Sequence, residues 1–136
     1  MNNITDDTQD LPVAVRRVVE TLAAMGHPHT PVMLDDAART AQQAADALGV
    51  ALGQIAKSII FRRKSDDAAV LVVTSGDLRV DEKKVQALVC ADGGKLGRAD
   101  ADFVKAATGF SIGGVSPVGH VKPPVTLIDD QLFRFD

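Results

Sequence analysis

Apolar positions recur at helical spacing near the start of the chain. Val15, Val18, Val19, Leu22 and Met25 fall on one side of a helix over residues 11–25, and Gly26 stands where a left-handed cap ends it. Residues 30–34 read as a short strand. Asp35 or Asp36 is placed to cap a second, alanine-rich helix that runs through Leu48 to a stop at Gly49. The pattern then changes period. Residues 55–61 alternate as a strand, and residues 69–74, nearly continuous and β-branched, read as a central strand covered on both faces. After the turn "SGD", Asp81 caps a helix reaching Cys90, with Val80 and Val85 spaced as a hydrophobic staple. "KLGR" reads as a short strand, Asp100 caps a further helix through Thr108, and Gly109 stops it. "VTLI" and "LFRF" flank "DDQ" as a closing hairpin.

This order of strands and helices predicts one α/β domain over residues 11–136, with a mixed sheet and helices packed around it, behind a flexible tail of residues 1–10. Length agrees, since a chain of about 150 residues buries about two-thirds of its unfolded surface in one core. No internal repeat or linker interrupts the chain.

Composition excludes several classes. Hydrophobic residues make up 46% and charged residues 24%, which fits neither a disordered chain nor a membrane protein. No apolar run spans a bilayer, and "MNNITDDTQD" is acidic where a signal peptide is basic, so a cytoplasmic protein with no membrane partner is expected. The one cysteine, Cys90, forms no intrachain disulfide and reads as a buried inert thiol. With a net charge of −3 and one tight basic cluster at Arg62–Lys64, any nucleic acid should be held weakly. His27, His29 and His120 match no zinc spacing, so no metal and no cofactor are expected.

Two features carry candidate chemistry. A period of two puts Lys57 on the same strand face as Ile55, Ile59 and Phe61, where an ammonium is costly to bury. Periodicity alone favours a lysine stem snorkelling to water over a functional role. The stretch "GFSIGGVSPVGH" is a shaped loop, in which the amides around Gly113 and Gly114 can form a nest for an anion or a developing oxyanion. Alone, the pattern favours an irregular turn between a helix and a hairpin over such a nest, and His120 reads as a surface histidine.

Three separated motifs, "GVALGQIAKSIIFR", "LVVTSGDLRVDEKKV" and "TGFSIGGVSPVGH", occur in this order, and over about residues 11–136 the chain resembles the YbaK/ProX-type aminoacyl-tRNA editing domains, which are similar to the insertion domain of bacterial prolyl-tRNA synthetases. The resemblance implies a partly closed mixed sheet and hydrolysis in trans of the ester of a mischarged tRNA, above all tRNA for proline. Water is then the attacking group. Lys57, Gly113 and Gly114 take catalytic roles, while Ser58, Ser116, Pro117 and His120 line the pocket for the 3′ end of aminoacyl-tRNA. Prolyl-tRNA synthetase becomes an expected partner. Family members continue beyond the equivalent of "LFRFD" with a strand and a helix, so against the resemblance a sheet neighbour and part of the pocket wall are expected to be missing, and the alternatives are a truncated chain, one that completes itself as a homodimer, or one that is catalytically poor. The alternative is a non-catalytic module of the same fold that binds an aminoacyl-tRNA or a synthetase.

Overall fold

The computed structural model describes residues 11–34, 39–91 and 93–135. The chain begins with α1 (Val13–Ala24) and α2 (Ala41–Leu48), then makes a 3₁₀ turn at Leu52–Gln54. The hairpin of β1 (Ala56–Arg63) and β2 (Ala68–Ser75) follows, then α3 (Glu82–Val89), β3 (Leu96–Arg98), α4 (Ala101–Thr108) and β4 (Val125–Ile128). A 3₁₀ helix at Asp130–Arg134 comes last. The four strands form one mixed sheet in the order β3-β1-β2-β4, open at both edges. All neighbours are antiparallel except the parallel pair β2 and β4.

β2 is central and covered on both faces, which is why Val70 through Ser75 are all buried. Its alternate residues serve different layers. Val70 and Val72 join Phe61 and Ile59 of β1, Val125 and Leu127 of β4, and Val85 and Val89 of α3 in the main core. Leu71 points to the opposite face, where α4 lies against β2 with Val104 and Ala107 buried.

Helix ends follow side-chain chemistry. Asp81 accepts from the Lys84 amide and Asp100 from the Phe103 amide, as expected, and Gly49 and Gly109 close α2 and α4 in the left-handed region. Three expectations change. The second helix starts at Ala41, because Thr40 and Gln43 form a reciprocal capping box; Asp35 and Asp36 lie outside the described residues. Residues 30–34 form no strand, since Pro31 removes a ladder donor at the second position of the run. "LFRF" does not return as a hairpin. Asp129 accepts from the Gln131 amide and starts a 3₁₀ helix, while β4 pairs parallel with β2.

The β1–β2 turn is held by charge. Arg63 donates to both oxygens of Asp66, at 3.0 and 2.8 Å. That hydrogen bond, helped by the Ala68 amide, lowers the Asp66 carboxyl from its ordinary 3.8 to about 2. A depressed carboxylate pKa stabilises the fold fully above the ordinary value, and the contribution is lost as pH falls through the folded one. Between about pH 4 and pH 2 the melting temperature should therefore fall less steeply in Asp66→Asn than in the wild type, as followed by circular dichroism.

Candidate functional site

The face of β1 that carries Ile59 and Phe61 into the core also carries Lys57, one residue pair closer to the strand start and opposite Thr74 of β2. The lysine is half-buried, and its Nζ donates to the Leu78 carbonyl at 3.0 Å. Leu78 belongs to the turn after β2, closed by its own N–H on the Ser75 carbonyl at 3.0 Å. The ammonium is thus neither free in solvent nor neutralised: it holds one carbonyl, and no carboxylate forms an ion pair with it among the described residues.

Lys57 opens into a cleft of about 500 Å³, whose walls include Thr74, Arg79, Glu82, Arg98 and Ile112. Sequence periodicity found Lys57 but missed the two arginines. Arg79 comes just before the cap of α3, and Arg98 at the end of β3, opposite Phe61. Neither forms an ion pair among the described residues. Three cationic side chains and one carboxylate therefore line this cleft in a chain of net charge −3. A neighbouring cleft of about 410 Å³ shares Thr74, Arg79 and Val80 as its wall and continues to the acidic pair Asp129 and Asp130.

The glycine loop meets the cleft at its edge. Ile112 lines it, and Gly113 and Gly114 follow, solvent-exposed. Gly113 has φ +85°, which suits glycine, whereas Gly114 donates its N–H to the Ser111 carbonyl at 2.9 Å. The Gly114 amide is therefore used by the turn, and the N–H groups of Gly113 and Val115 on either side form no backbone hydrogen bond among the described residues.

The remaining expected residues lie elsewhere. Ser58 points to the other face of β1, opposite Val73, and Pro117 is exposed. Ser116 accepts from the Val118 amide at 3.1 Å, and its carbonyl lies 2.6 Å from His120 Nε2. A carbonyl only accepts, so Nε2 carries the proton, and the ring packs edge-on against Phe110 at 5.5 Å. Ser116 and His120 thus brace the loop from within. None of Ser58, Ser116, Pro117 and His120 lines the Lys57 cleft. Among the described residues, no group of three or more His, Cys, Asp or Glu side chains is placed to hold a metal, and no helix is long and apolar enough to cross a membrane.

The aminoacyl-tRNA editing domain family matches residues 35–136. An uncharacterized protein, YwhH, of Bacillus subtilis is 38% identical over 96 residues, covering 71% of this chain and 59% of that protein. A proline–tRNA ligase of Pelotomaculum thermopropionicum is 36% identical over 110 residues, which are 80% of this chain and 18% of the ligase. The chain thus spans less than two-thirds of either relative. Among solved structures, "a putative trans-editing enzyme for prolyl tRNA synthetase" superposes with a TM-score of 0.83 at 39% identity, over 93% of this chain and 78% of that one.

Proposed function

The chain belongs to the aminoacyl-tRNA editing domain family, and from that premise we propose that it is a deacylase that hydrolyses mischarged aminoacyl-tRNA in trans, with tRNA for proline as the first substrate to test. The observation that carries the reading is the Lys57 cleft: a half-buried lysine whose ammonium is held by one carbonyl, with Arg79 and Arg98 on the walls and the glycine loop at the rim.

The chemistry is ester hydrolysis. Water adds to the ester carbonyl, and the tetrahedral intermediate collapses by expelling the ribose oxygen. That oxygen takes a proton, leaving free amino acid and uncharged tRNA. Lys57 holds the 3′-terminal phosphate or ribose as a point charge, which fixes the ester against the attacking water. The amides of Gly113 and Val115 supply donors for the oxyanion. This work is done in the cytoplasm, where tRNA is charged, alongside prolyl-tRNA synthetase. The test is incubation with a panel of mischarged tRNAs. Release of amino acid from none of them, by protein that is folded, sinks the reading.

The cleft also sets how RNA is held. Each phosphate neutralised by a cation on a single strand contributes about 0.7 to the slope of log affinity against log salt. Contacts from Lys57, Arg79 and Arg98 give a slope of about −2 for an RNA carrying a single-stranded 3′ end, and Arg79→Ala and Arg98→Ala should each make it shallower by about 0.7. Fluorescence anisotropy over a salt series reads this out, and a slope unchanged in both variants removes the arginines from the contact. A homodimer is the other finer part of the reading. β4 is a sheet edge on which Ile128 is 56% exposed, and such edges pair. Sedimentation across a wide concentration range should show association, and a strict monomer counts against it.

A further inference from the structure

The carbonyl that holds Lys57 is itself held, through a chain of contacts, by the far end of the described chain. Leu78 is fixed by the turn at 75–78, and the side chains of that turn are gripped from outside. Arg134 Nη2, in the last 3₁₀ helix, donates to Asp77 Oδ1 at 2.7 Å, to Asp77 Oδ2 at 2.8 Å and to Ser75 Oγ at 3.1 Å. Ser75 Oγ is fully buried against the Gly53 carbonyl and lies 2.9 Å from Asp77 Oδ1. The guanidinium stacks on the Phe135 ring, 4.7 Å from its centroid. A side chain at buried Gly53 would collide with Arg134 Nη2, and would meet Phe135 Cζ at 2.7 Å and Asp77 Oδ2 at 3.0 Å, so glycine is what lets the three close together.

From this path, Arg134 to Asp77 and Ser75, to the turn, to the Leu78 carbonyl and to Lys57, we infer that Asp77 and Arg134 are positioning residues that set the place of the Lys57 ammonium in the cleft. The inference rests on the reading of Lys57 above. The Asp77 carboxyl is held below its ordinary value, first by the hydrogen bond from Arg134 and then by that from Ser75, so the carboxylate stays ionised beside Arg134 at neutral pH. A mere clamp on the chain end would affect stability alone. A positioning pair affects turnover, because a reacting group displaced by about 1 Å costs up to about 100-fold in rate.

The experiment measures kcat, KM and melting temperature on the mischarged tRNA that the wild type hydrolyses fastest. Arg134→Ala and Asp77→Asn should each lower kcat by about 10- to 100-fold with KM little changed, and Arg134→Lys should recover part of the loss by restoring a cation beside Asp77. Asp77→Asn keeps the side-chain shape and carries the test should Arg134→Ala fail to fold. If Lys57→Ala is slow while folded Arg134→Ala and Asp77→Asn turn over at the wild-type rate, the positioning role is overturned and the role of Lys57 stands. A loss confined to melting temperature, or to KM, overturns it equally. Wild-type turnover by Lys57→Ala removes the reading of Lys57 and the positioning role with it.

Discussion

Lys57→Ala should lower deacylation by at least about 100-fold, on the scale of losing one preorganised electrostatic contact to the reacting group, while the fold survives. The separation of activity from stability follows from the geometry. Lys57 shares its strand face with Ile59 and Phe61, but the residue is only half-buried, and its ammonium gives one hydrogen bond to the Leu78 carbonyl and forms no ion pair among the described residues. Lys57→Met keeps the stem and removes the cost of desolvating the charge, against the loss of that one bond. Its stability should lie within about 1 kcal/mol of the wild type by thermal melting, with the same loss of rate as Lys57→Ala. Full activity in both variants would take Lys57 out of the site.

Much of the sheet is legible in the chain because its signals are local. The alternation of Ile55, Lys57, Ile59 and Phe61 marks β1, the buried run of Val70 to Val73 marks β2, and the aspartates at 81 and 100 mark the starts of α3 and α4. The same local logic also contained the capping box of Thr40 and Gln43, which the nearby aspartates obscured. The segment "LFRF" misleads for a different reason. Alternating apolar residues after "DDQ" look like a returning strand, but the Asp129 side chain captures the Gln131 amide and starts a 3₁₀ helix. The site is less legible because it is made by packing. Arg79 and Arg98 reach one cleft from different elements, and Asp77 and Arg134 meet across 57 positions of sequence. Spacing along the chain carries no trace of such pairs. In the glycine loop, sequence marks the need for glycine at Gly113, but which amide the turn consumes is fixed only by the hydrogen bond from Gly114 to Ser111.

Gly114→Ala is the variant that separates an enzyme from a binding module. At Gly113, φ is +85°, so an alanine there is strained by about 1–2 kcal/mol and a change in rate could come from a reshaped turn. Gly114 is different: no left-handed φ holds it, and an added Cβ would have only the Ser111 carbonyl nearby, at 3.7 Å. The turn bond from the Gly114 N–H survives the substitution, so the loop keeps its path. What the methyl changes is the open surface between the Gly113 and Val115 amides, where the oxyanion would lie. Losing such stabilisation costs about 100- to 1000-fold in rate, whereas RNA held through phosphates at Arg79 and Arg98 keeps its affinity. A deacylase therefore shows a large fall in single-turnover hydrolysis with nearly unchanged binding and melting temperature. A binding module shows no hydrolysis in the wild type and a loss confined to affinity. If the wild type hydrolyses a mischarged tRNA and Gly114→Ala does so equally fast, the loop is a turn at the rim of the cleft, and the oxyanion donors must be sought elsewhere along its walls.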